Sequence, residues 1–514
     1  MSLETLPWLS ILAVTPLIGA LVLWALPKTK AGAATKIALG FSLVTLVLFV
    51  GALLNFDRSA SGTMQFTELH EWIPQMGTSY ALGVNGVGLL LIGLSVLLVP
   101  LVIGAAWKEQ GVGQATGPQE LQDAQSKLRH YLALVLILEV FMVLIFAARD
   151  VFLFYVVFEA MLIPVYFMIG VFGKGARRRY AALKFLLFSL VGGLVMLVAV
   201  IGLYLKGPGG PQGFLIDNLV GVPLDTSLER WLFLGFFLAF AVKAPMFPVH
   251  TWLPDSTQHA PAGTSVLLVG VLDKVGTFGM LTLCLPLFPN AAQWAAPVIV
   301  VLAVISIIYG ALLALGQRDL MRLIAYTSVS HFGVIVLGIF TFTELGTAGA
   351  NFYMINHGLA TGLLFLIAGF LFLRSRTGES QMIGEFGGMQ KVTPVLAGVF
   401  LTVGLATLSM PGLSPFISEI MVLIAVFGVN NWAAIIAAIV VILAALYILL
   451  PYQKIFTGAI QEDLKDKPDL NVREKWVVGP LIALLLILGF VPGLALQFIE
   501  EPAQISVSTI EGNK

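Results

Sequence analysis

Charged residues are scarce in this chain. Only 11% of its 514 residues are Asp, Glu, Lys or Arg, whereas 58% are hydrophobic. A soluble globular protein usually contains about 25% charged residues, and the mean hydropathy here is +0.96. The composition therefore excludes an ordinary soluble domain and indicates a membrane protein. The 28 basic residues equal the 28 acidic ones in number. The chain therefore has no excess of positive charge that would indicate a nucleic-acid partner.

Cysteine is nearly absent as well. Cys284 is the only one, which excludes an internal disulfide and a cysteine-rich metal site. The sequence also lacks a Walker motif and a G-x-G-x-x-G sequence after a strand. We therefore expect no cofactor or metal site in this chain.

Long apolar runs, by contrast, are abundant. A helix needs about 20 apolar residues to cross a bilayer core, and a helix satisfies its own backbone groups in lipid. The sequence therefore predicts an all-α polytopic membrane protein with about 14 transmembrane helices. The fourteen segments, numbered in order, are residues 8–26, 37–54, 87–106, 131–148, 151–172, 181–205, 231–252, 262–288, 292–315, 320–342, 348–373, 392–427, 432–451 and 476–496.

The basic residues predict the orientation of these segments. With the N-terminus outside, twenty of the 28 lysines and arginines fall on the inner side and five, including Lys514, on the outer side. Inner loops of membrane proteins carry such an excess. We therefore expect both chain ends outside, and we interpret residues 55–86 and 206–230 as surface loops on the outer side because they contain Gly, Pro and acids.

A lysine and two prolines interrupt segment 7. Lys243 lies near mid-membrane, where a charge is costly, and Pro245 and Pro248 each remove a backbone donor. A broken helix exposes backbone groups that need water or polar side chains. We therefore predict a discontinuous helix that lines a hydrated pocket.

Segment 12 repeats this combination, because Pro411 and Pro415 precede Glu419. Two interrupted segments at corresponding positions predict inverted repeats. We expect helices 7 and 12 to be discontinuous and helices 4–8 and 9–13 to form two inverted five-helix repeats. The predicted division is an N-terminal three-helix part, two repeats and a C-terminal part with helix 14 and a short tail, at residues 1–130, 131–290, 291–455 and 456–514.

Further ionisable residues lie within the apolar segments. Glu159 in segment 5 is a plausible partner for Lys243, either as a pair that separates and changes protonation or as a static ion pair. Lys274, His331 and His357 can extend a chain of titratable groups. Three more are weaker candidates: Lys184, which is close enough to the inner surface to snorkel, Asp273, which can neutralise Lys274, and Glu139.

Together these stretches resemble one family. The sequences FYVVFEAMLIPVYFMIG, AALKFLLFS, VKAPMFPVHTWLPDSTQHAPAGTSVLLVG, RDLMRLIAYTSVSHFG, INHG and MPGLSPFISE are similar to the antiporter-like membrane subunits of respiratory complex I, the proton-translocating NADH–quinone oxidoreductase. Within that family, a glutamate at the position of Glu419 and the short stretch after segment 14 are typical of the M-type chain (subunit 4 in mitochondria).

The resemblance implies a role for each buried group. Glu159 and Lys243 would form the controlling ion pair, Lys274 and His331 would relay protons together with His357, and Glu419 would be the terminal proton site. The chain would move H⁺ from the cytoplasm to the outside across the inner (plasma) membrane of a bacterium. Asp273 departs from the apolar neighbour that the family has beside Lys274.

The resemblance also implies partners and cofactors. The chain would be a non-redox subunit of a proton-translocating NADH:quinone oxidoreductase, and FMN, iron–sulfur clusters and quinone would belong to partner subunits. Its expected contacts are lipids and other membrane-arm subunits, including the related L- and N-type chains, without nucleic acid.

Two other interpretations fit the same sequence. One is an Na⁺/H⁺ or K⁺/H⁺ antiporter subunit of a multisubunit cation/proton antiporter. Sodium prefers clustered oxygen ligands, whereas the buried groups here alternate between lysine, histidine and glutamate. The other is a purely structural membrane scaffold, in which the buried charges would be dispensable for transport.

Overall fold

The structure is a computed structural model that describes residues 6–378 and 380–511. The expectations for the two chain ends, including the outer position of Lys514, concern residues that lie outside this described part. All helix and strand bounds below refer to the described residues.

The chain is built almost entirely of helices. In the first half these are α1 (Trp8–Ala25), α2 (Ala34–Asn55), α3 (Gly86–Ala105), α4 (Pro118–Ala147), α5 (Val151–Ala160), α6 (Leu162–Gly170), α7 (Arg178–Tyr204), α8 (Ile216–Leu219), α9 (Thr226–Lys243), α10 (Trp252–His259), α11 (Ala262–Leu267), α12 (Lys274–Gly279) and α13 (Leu285–Leu287). In the second half they are α14 (Pro289–Leu315), α15 (Leu320–Ile339), α16 (Glu344–Arg374), α17 (Pro394–Thr407), α18 (Ser414–Val429), α19 (Asn431–Phe456), α20 (Val472–Phe490), α21 (Gly493–Leu496) and α22 (Glu500–Glu511). Short 3₁₀ turns lie at Lys28–Ala33, Arg58–Ala60, Pro74–Met76, Ala106–Lys108, Ile383–Glu385, Met389–Lys391 and Glu462–Leu464.

This helical architecture confirms the predicted fold class. Each of the fourteen apolar segments contains at least one helix. Within the described residues, eleven helices are long and apolar enough to cross a membrane, and two shorter apolar helices, α17 and α18, accompany them. The number of crossings and the boundaries of the four parts of the chain remain predictions.

Both predicted helix interruptions are present. Helix α9 ends at Lys243, and α10 begins at Trp252 after Pro245 and Pro248. Helices α17 and α18 are separated by a turn in which Ser409 and Gly412 adopt left-handed backbone angles, with φ of 58° and 92°. Segments 7 and 12 therefore each contain a break, as their proline patterns predict. Below, the first and second repeat refer to the predicted residues 131–290 and 291–455.

A β-hairpin occupies most of the first predicted outer loop, residues 55–86. Strands β1 (Gln65–Ile73) and β2 (Thr78–Val84) pair antiparallel, with Gly77 at φ 75° in the turn. The prediction weighed only the Gly, Pro and acidic content, whereas alternating β-branched and aromatic residues favour strands. Glu68 of β1 accepts hydrogen bonds from the backbone N–H groups of Leu9 and Ser10 at 3.0 and 3.2 Å and so caps α1.

Candidate functional site

Side chains satisfy the backbone groups that the break after α9 sets free. The indole Nε1 of Trp252 donates to the carbonyl oxygen of Val242 at 3.0 Å. The backbone N–H of Phe247 donates to the hydroxyl of Ser306 on α14 at 2.8 Å. Since such groups find no water in lipid, these two bonds hold the break open at a defined position and fix the end of α9.

Lys243 is the last residue of α9 and is buried, with 1% of its surface exposed. Its Nζ has no hydrogen-bond partner among the described residues. Instead Nζ lies 5.0 Å from the ring centre of Phe158 and 5.9 Å from that of Phe185. Aromatic faces attract an ammonium group, but more weakly than a carboxylate does.

Glu159 is close to Lys243 but does not hydrogen bond to it. It lies at the end of α5, where Pro164 removes the donor that would bond to Ala160 and so divides α5 from α6. Oε1 of Glu159 is buried without a hydrogen-bond partner among the described residues. The two charges are near enough to interact electrostatically. The predicted partners therefore lie in the same region but form no direct hydrogen bond.

A glycine makes room for this carboxylate. A Cβ atom added at Gly193 of α7 would collide with Oε1 of Glu159. We expect Gly193→Ala to displace the carboxyl group of Glu159, because the nearest atoms that the new Cβ would meet all belong to the flexible end of this side chain. Proton translocation is expected to fall several-fold, since the interaction of Glu159 with Lys243 changes. Translocation and thermal stability of the assembled protein measure the effect. Gly40→Ala is the matched control, because its Cβ would meet no atom within 4 Å, and equal losses in both variants would contradict the prediction.

Lys274 lies between two stretches of π-helix, at Leu268–Leu272 and Met280–Cys284. Such wide turns change the direction of side chains and free backbone carbonyls, and they are frequent at functional sites. The fully buried Nζ donates to the carbonyl oxygen of Val269 in the first wide turn at 2.6 Å. It also lies 2.6 Å from Nδ1 of His357 on α16. The lysine therefore connects this irregular helix to the second repeat.

Two buried carboxyl groups have no hydrogen-bond partner among the described residues, those of Asp273 and Glu139. Asp273 is near enough to both Lys243 and Lys274 to interact electrostatically. Its carboxyl group therefore interacts with both lysines and not with Lys274 alone. Glu139 lies on α4, fully buried and apart from this group.

From Lys274 the polar groups continue into the second repeat through two histidines. The rings of His357 and His331 lie 5.3 Å apart at 82°. Nε2 of His331 is 3.2 Å from the hydroxyl of Tyr447 on α19. Nδ1 of His331 and Nε2 of His357 have no hydrogen-bond partner among the described residues.

Glu419 ends this series in the first turns of α18. Its Oε2 accepts hydrogen bonds from the hydroxyl of Tyr353, at 3.1 Å, and from that of Ser409 in the helix break. The ring of Tyr353 also lies 5.9 Å from that of His331. Asn356 stabilises the break by donating a hydrogen bond to the backbone oxygen of Ser414 at 3.0 Å. The carboxyl group is thus held by hydroxyls between His331 and the second broken helix.

Lys184 belongs to a different, partly exposed cluster, and its expected reach to the inner surface stays a prediction. Its Nζ donates to Asp255 of α10 at 2.6 Å, and Arg322 of α15 contacts the other oxygen of Asp255 at 2.5 Å. An available carboxylate is a stronger partner than the surface. Nearby, burial raises the pKa of Asp319, which caps α15 and accepts hydrogen bonds from Gln381 and Gln258.

The structure therefore joins four of the six predicted relay residues closely and leaves two apart. Lys274 lies 2.6 Å from His357, and the ring centres of His357 and His331 lie 5.3 Å apart. Tyr353 contacts both His331 and Glu419, and Asp273 interacts electrostatically with Lys274 and Lys243. Sequence reasoning missed three hydroxyl groups, those of Tyr353, Tyr447 and Ser409. The two tyrosines could have been found from the sequence, because each lies inside an apolar helix and a buried tyrosine hydroxyl usually has a hydrogen-bond partner.

A family model supports the relationship that these motifs indicate. Residues 148–446 match the model described as "NADH:quinone oxidoreductase/Mrp antiporter, TM". The chain belongs to this family. The match covers both broken helices and all six predicted relay residues.

Curated relatives extend the similarity to nearly the whole chain. A protein named NADH-quinone oxidoreductase subunit M from Mycobacterium tuberculosis (strain H37Rv) is 44% identical, over 99% of this chain and 95% of its own length. A protein of the same name from Rhodobacter capsulatus is 37% identical, over 96% of this chain and 94% of its own length.

Solved structures share the fold. A chain of respiratory complex I from Thermus thermophilus with bound NADH has a TM-score of 0.86 and 32% identity, over 98% of this chain and 99% of that one. A chain of the Mrp complex from Dietzia sp. DQ12-45-1b has a TM-score of 0.81 at 20% identity, over 99% of this chain and all of that one. The second similarity shows the fold alone.

Proposed function

We propose that this chain is a proton-translocating membrane subunit of an NADH–quinone oxidoreductase, corresponding to subunit M. The observation that carries the proposal is the succession of neighbouring buried groups from Lys274 through His357 and His331 to the tyrosine hydroxyls and Glu419. These groups accept and release protons, and all of them are buried within the helices. This series of groups begins in the first predicted repeat and continues into the second.

The pair of Glu159 and Lys243 would control when protons move along this series. A buried ammonium costs several kcal/mol unless it is paired. Movement of Glu159 toward or away from Lys243 therefore changes the affinity of this lysine for its proton. Moving one charge against about 100 mV costs about 2.3 kcal/mol, which is within the range that such a change provides.

The ligand chemistry favours protons over sodium or potassium. A bound alkali cation needs several oxygen ligands, whereas the centre of this series consists of a lysine and two histidines. Glu419 is surrounded by hydroxyl donors, which stabilise a carboxylate and leave few lone pairs for a cation. The antiporter subunit of a multisubunit cation/proton antiporter is thus the weaker candidate.

We place the redox chemistry in other subunits. Cys284 is the only cysteine and is buried, so this chain has no set of thiolates for an iron–sulfur cluster. FMN, iron–sulfur clusters and quinone would be bound by partners. Related L- and N-type chains and lipids would surround this subunit in the membrane arm. The side rich in lysine and arginine would face the cytoplasm, and both chain ends would lie outside.

Purification tests this assignment. A tag on this chain, used in a mild detergent, is expected to recover flavin and iron–sulfur absorbance together with it. In proteoliposomes the purified complex is expected to move protons when NADH is added, at the same rate when choline replaces Na⁺ and K⁺. A preparation without flavin, or a rate that depends on Na⁺ or K⁺, would support the antiporter subunit instead.

A further inference from the structure

A cavity of about 500 Å³ opens beside the second repeat, away from the break after α9. It lies between the end of α14, the start of α15, the inner end of α19 and residues 382–385. Its polar lining consists of Gln317, Arg318, Glu385 and Lys454, together with Tyr447. Arg318 and Lys454 belong to the basic side of the protein, so the cavity opens toward the predicted inner face.

Tyr447 lines this cavity and also contacts the relay. Its ring is fully buried, and its hydroxyl lies 3.2 Å from Nε2 of His331. Among the residues that line the cavity, Tyr447 alone touches a relay residue through a described hydrogen bond. One side chain therefore separates the cavity from the histidine pair.

The lining suits water. A cavity of this volume holds many water molecules, since one needs about 10–15 Å³. Oε2 of Glu385 is buried without a partner among the described residues, and a buried carboxylate oxygen normally has one. Leu446 and Leu450 add an apolar part to the lining beside Tyr447.

We propose that this cavity is an entry from the inner face through which protons reach the second repeat, with Tyr447 as the bridge to His331. The inference rests on the proposed function and extends it by giving the second repeat an entry of its own. The first repeat, with Lys243 and its helix break, would not be the sole source of protons for Glu419.

The transfer step conserves protons and bonds. Tyr447 donates its hydroxyl proton to Nε2 of His331, while a hydronium ion in the cavity donates a proton to the tyrosine oxygen and becomes water. His331 releases the proton from Nδ1, through water, toward His357. A hydroxyl group can accept and donate in this way without a net change of its own protonation state.

The first test is Tyr447→Phe in the complete complex, reconstituted into vesicles. Proton movement per NADH is expected to fall about tenfold, which is less than the loss of a titrating group because water can partly replace a hydroxyl. Tyr452→Phe, on the same helix and outside the cavity lining, is the matched control and is expected to pump normally. Normal pumping by an assembled Tyr447→Phe complex would overturn the inference.

The second test concerns access and does not depend on Tyr447. In the Leu450→Cys variant, a charged, membrane-impermeant methanethiosulfonate reagent added from the NADH side is expected to modify the new thiol in the cavity and to block proton movement. The same treatment of Leu312→Cys, an exposed position of α14 outside the lining, is expected to have no effect. Failure of the Leu450→Cys variant to react, or its modification without loss of pumping, would overturn the inference even if Tyr447→Phe did not assemble.

A parallel Lys243→Met complex separates this inference from the proposed function. Loss of pumping in Lys243→Met with normal pumping in Tyr447→Phe would reject the entry and leave the function in place. Normal pumping in both variants would reject the proposed function itself.

Discussion

Lys243→Met is expected to reduce proton translocation by about 10²-fold, the lower end of what a positioned proton-transfer group contributes. Methionine is unbranched like lysine and only one atom shorter, so it fills most of the space beside Phe158 and Phe185 but cannot carry a proton. Because the ammonium is buried without a hydrogen-bond partner among the described residues, its removal also ends a desolvation cost. We therefore expect normal assembly, with the loss confined to NADH-driven proton movement in proteoliposomes.

Two comparisons make this result specific. Lys391→Met removes an exposed lysine and is expected to leave translocation unchanged. Glu159→Gln combined with Lys243→Met is expected to be no worse than Lys243→Met alone, since residues that act as one unit are not additive. An assembled Lys243→Met complex that pumps normally would show that the helix break positions no proton carrier.

The broken helices could be predicted because proline acts locally. Pro245 and Pro248 interrupt the helix whatever surrounds them, and a charge beside such a break needs a polar environment. The apolar segments were equally predictable, since the thickness of the bilayer sets their length. These features depend on short stretches of sequence and on the solvent, and the structure agrees with them.

The contacts between segments could not be predicted in the same way. Whether Lys274 meets His357 depends on the rotation of two helices, and the two stretches of π-helix around Lys274 change that rotation. Neither stretch contains a proline, although Pro286 follows the second by two positions. Tyr353 and Tyr447 looked like ordinary apolar residues until the structure placed His331 and Glu419 beside their hydroxyls. Lys184 illustrates the same point, because its partner Asp255 lies 71 positions away in the sequence.

Glu419→Gln is expected to lower proton translocation by about as much as Lys243→Met, on the order of 10²-fold. Glutamine has the same shape and retains an oxygen that accepts from Tyr353 and Ser409, so the break between α17 and α18 is expected to stay intact. It cannot bind and release a proton. NADH-driven proton movement is therefore the property that changes, while the thermal stability of the complex stays within about 1 kcal/mol of the parent.

The hydroxyl donors around Glu419 allow a graded test of its role. If Glu419 carries a proton, the loss of translocation should be larger when its charge is removed than when one of its hydrogen bonds is removed. Tyr353→Phe removes one hydrogen bond to the carboxylate and leaves its charge, so we expect an intermediate loss, with Glu419→Gln the more severe. Glu344→Gln, at an exposed position of the same helix as Tyr353, controls for the loss of any acidic side chain. If Glu419→Gln pumped normally, or if Tyr353→Phe were the more severe change, Glu419 would serve only to hold the helix break, and the terminal proton site would lie elsewhere.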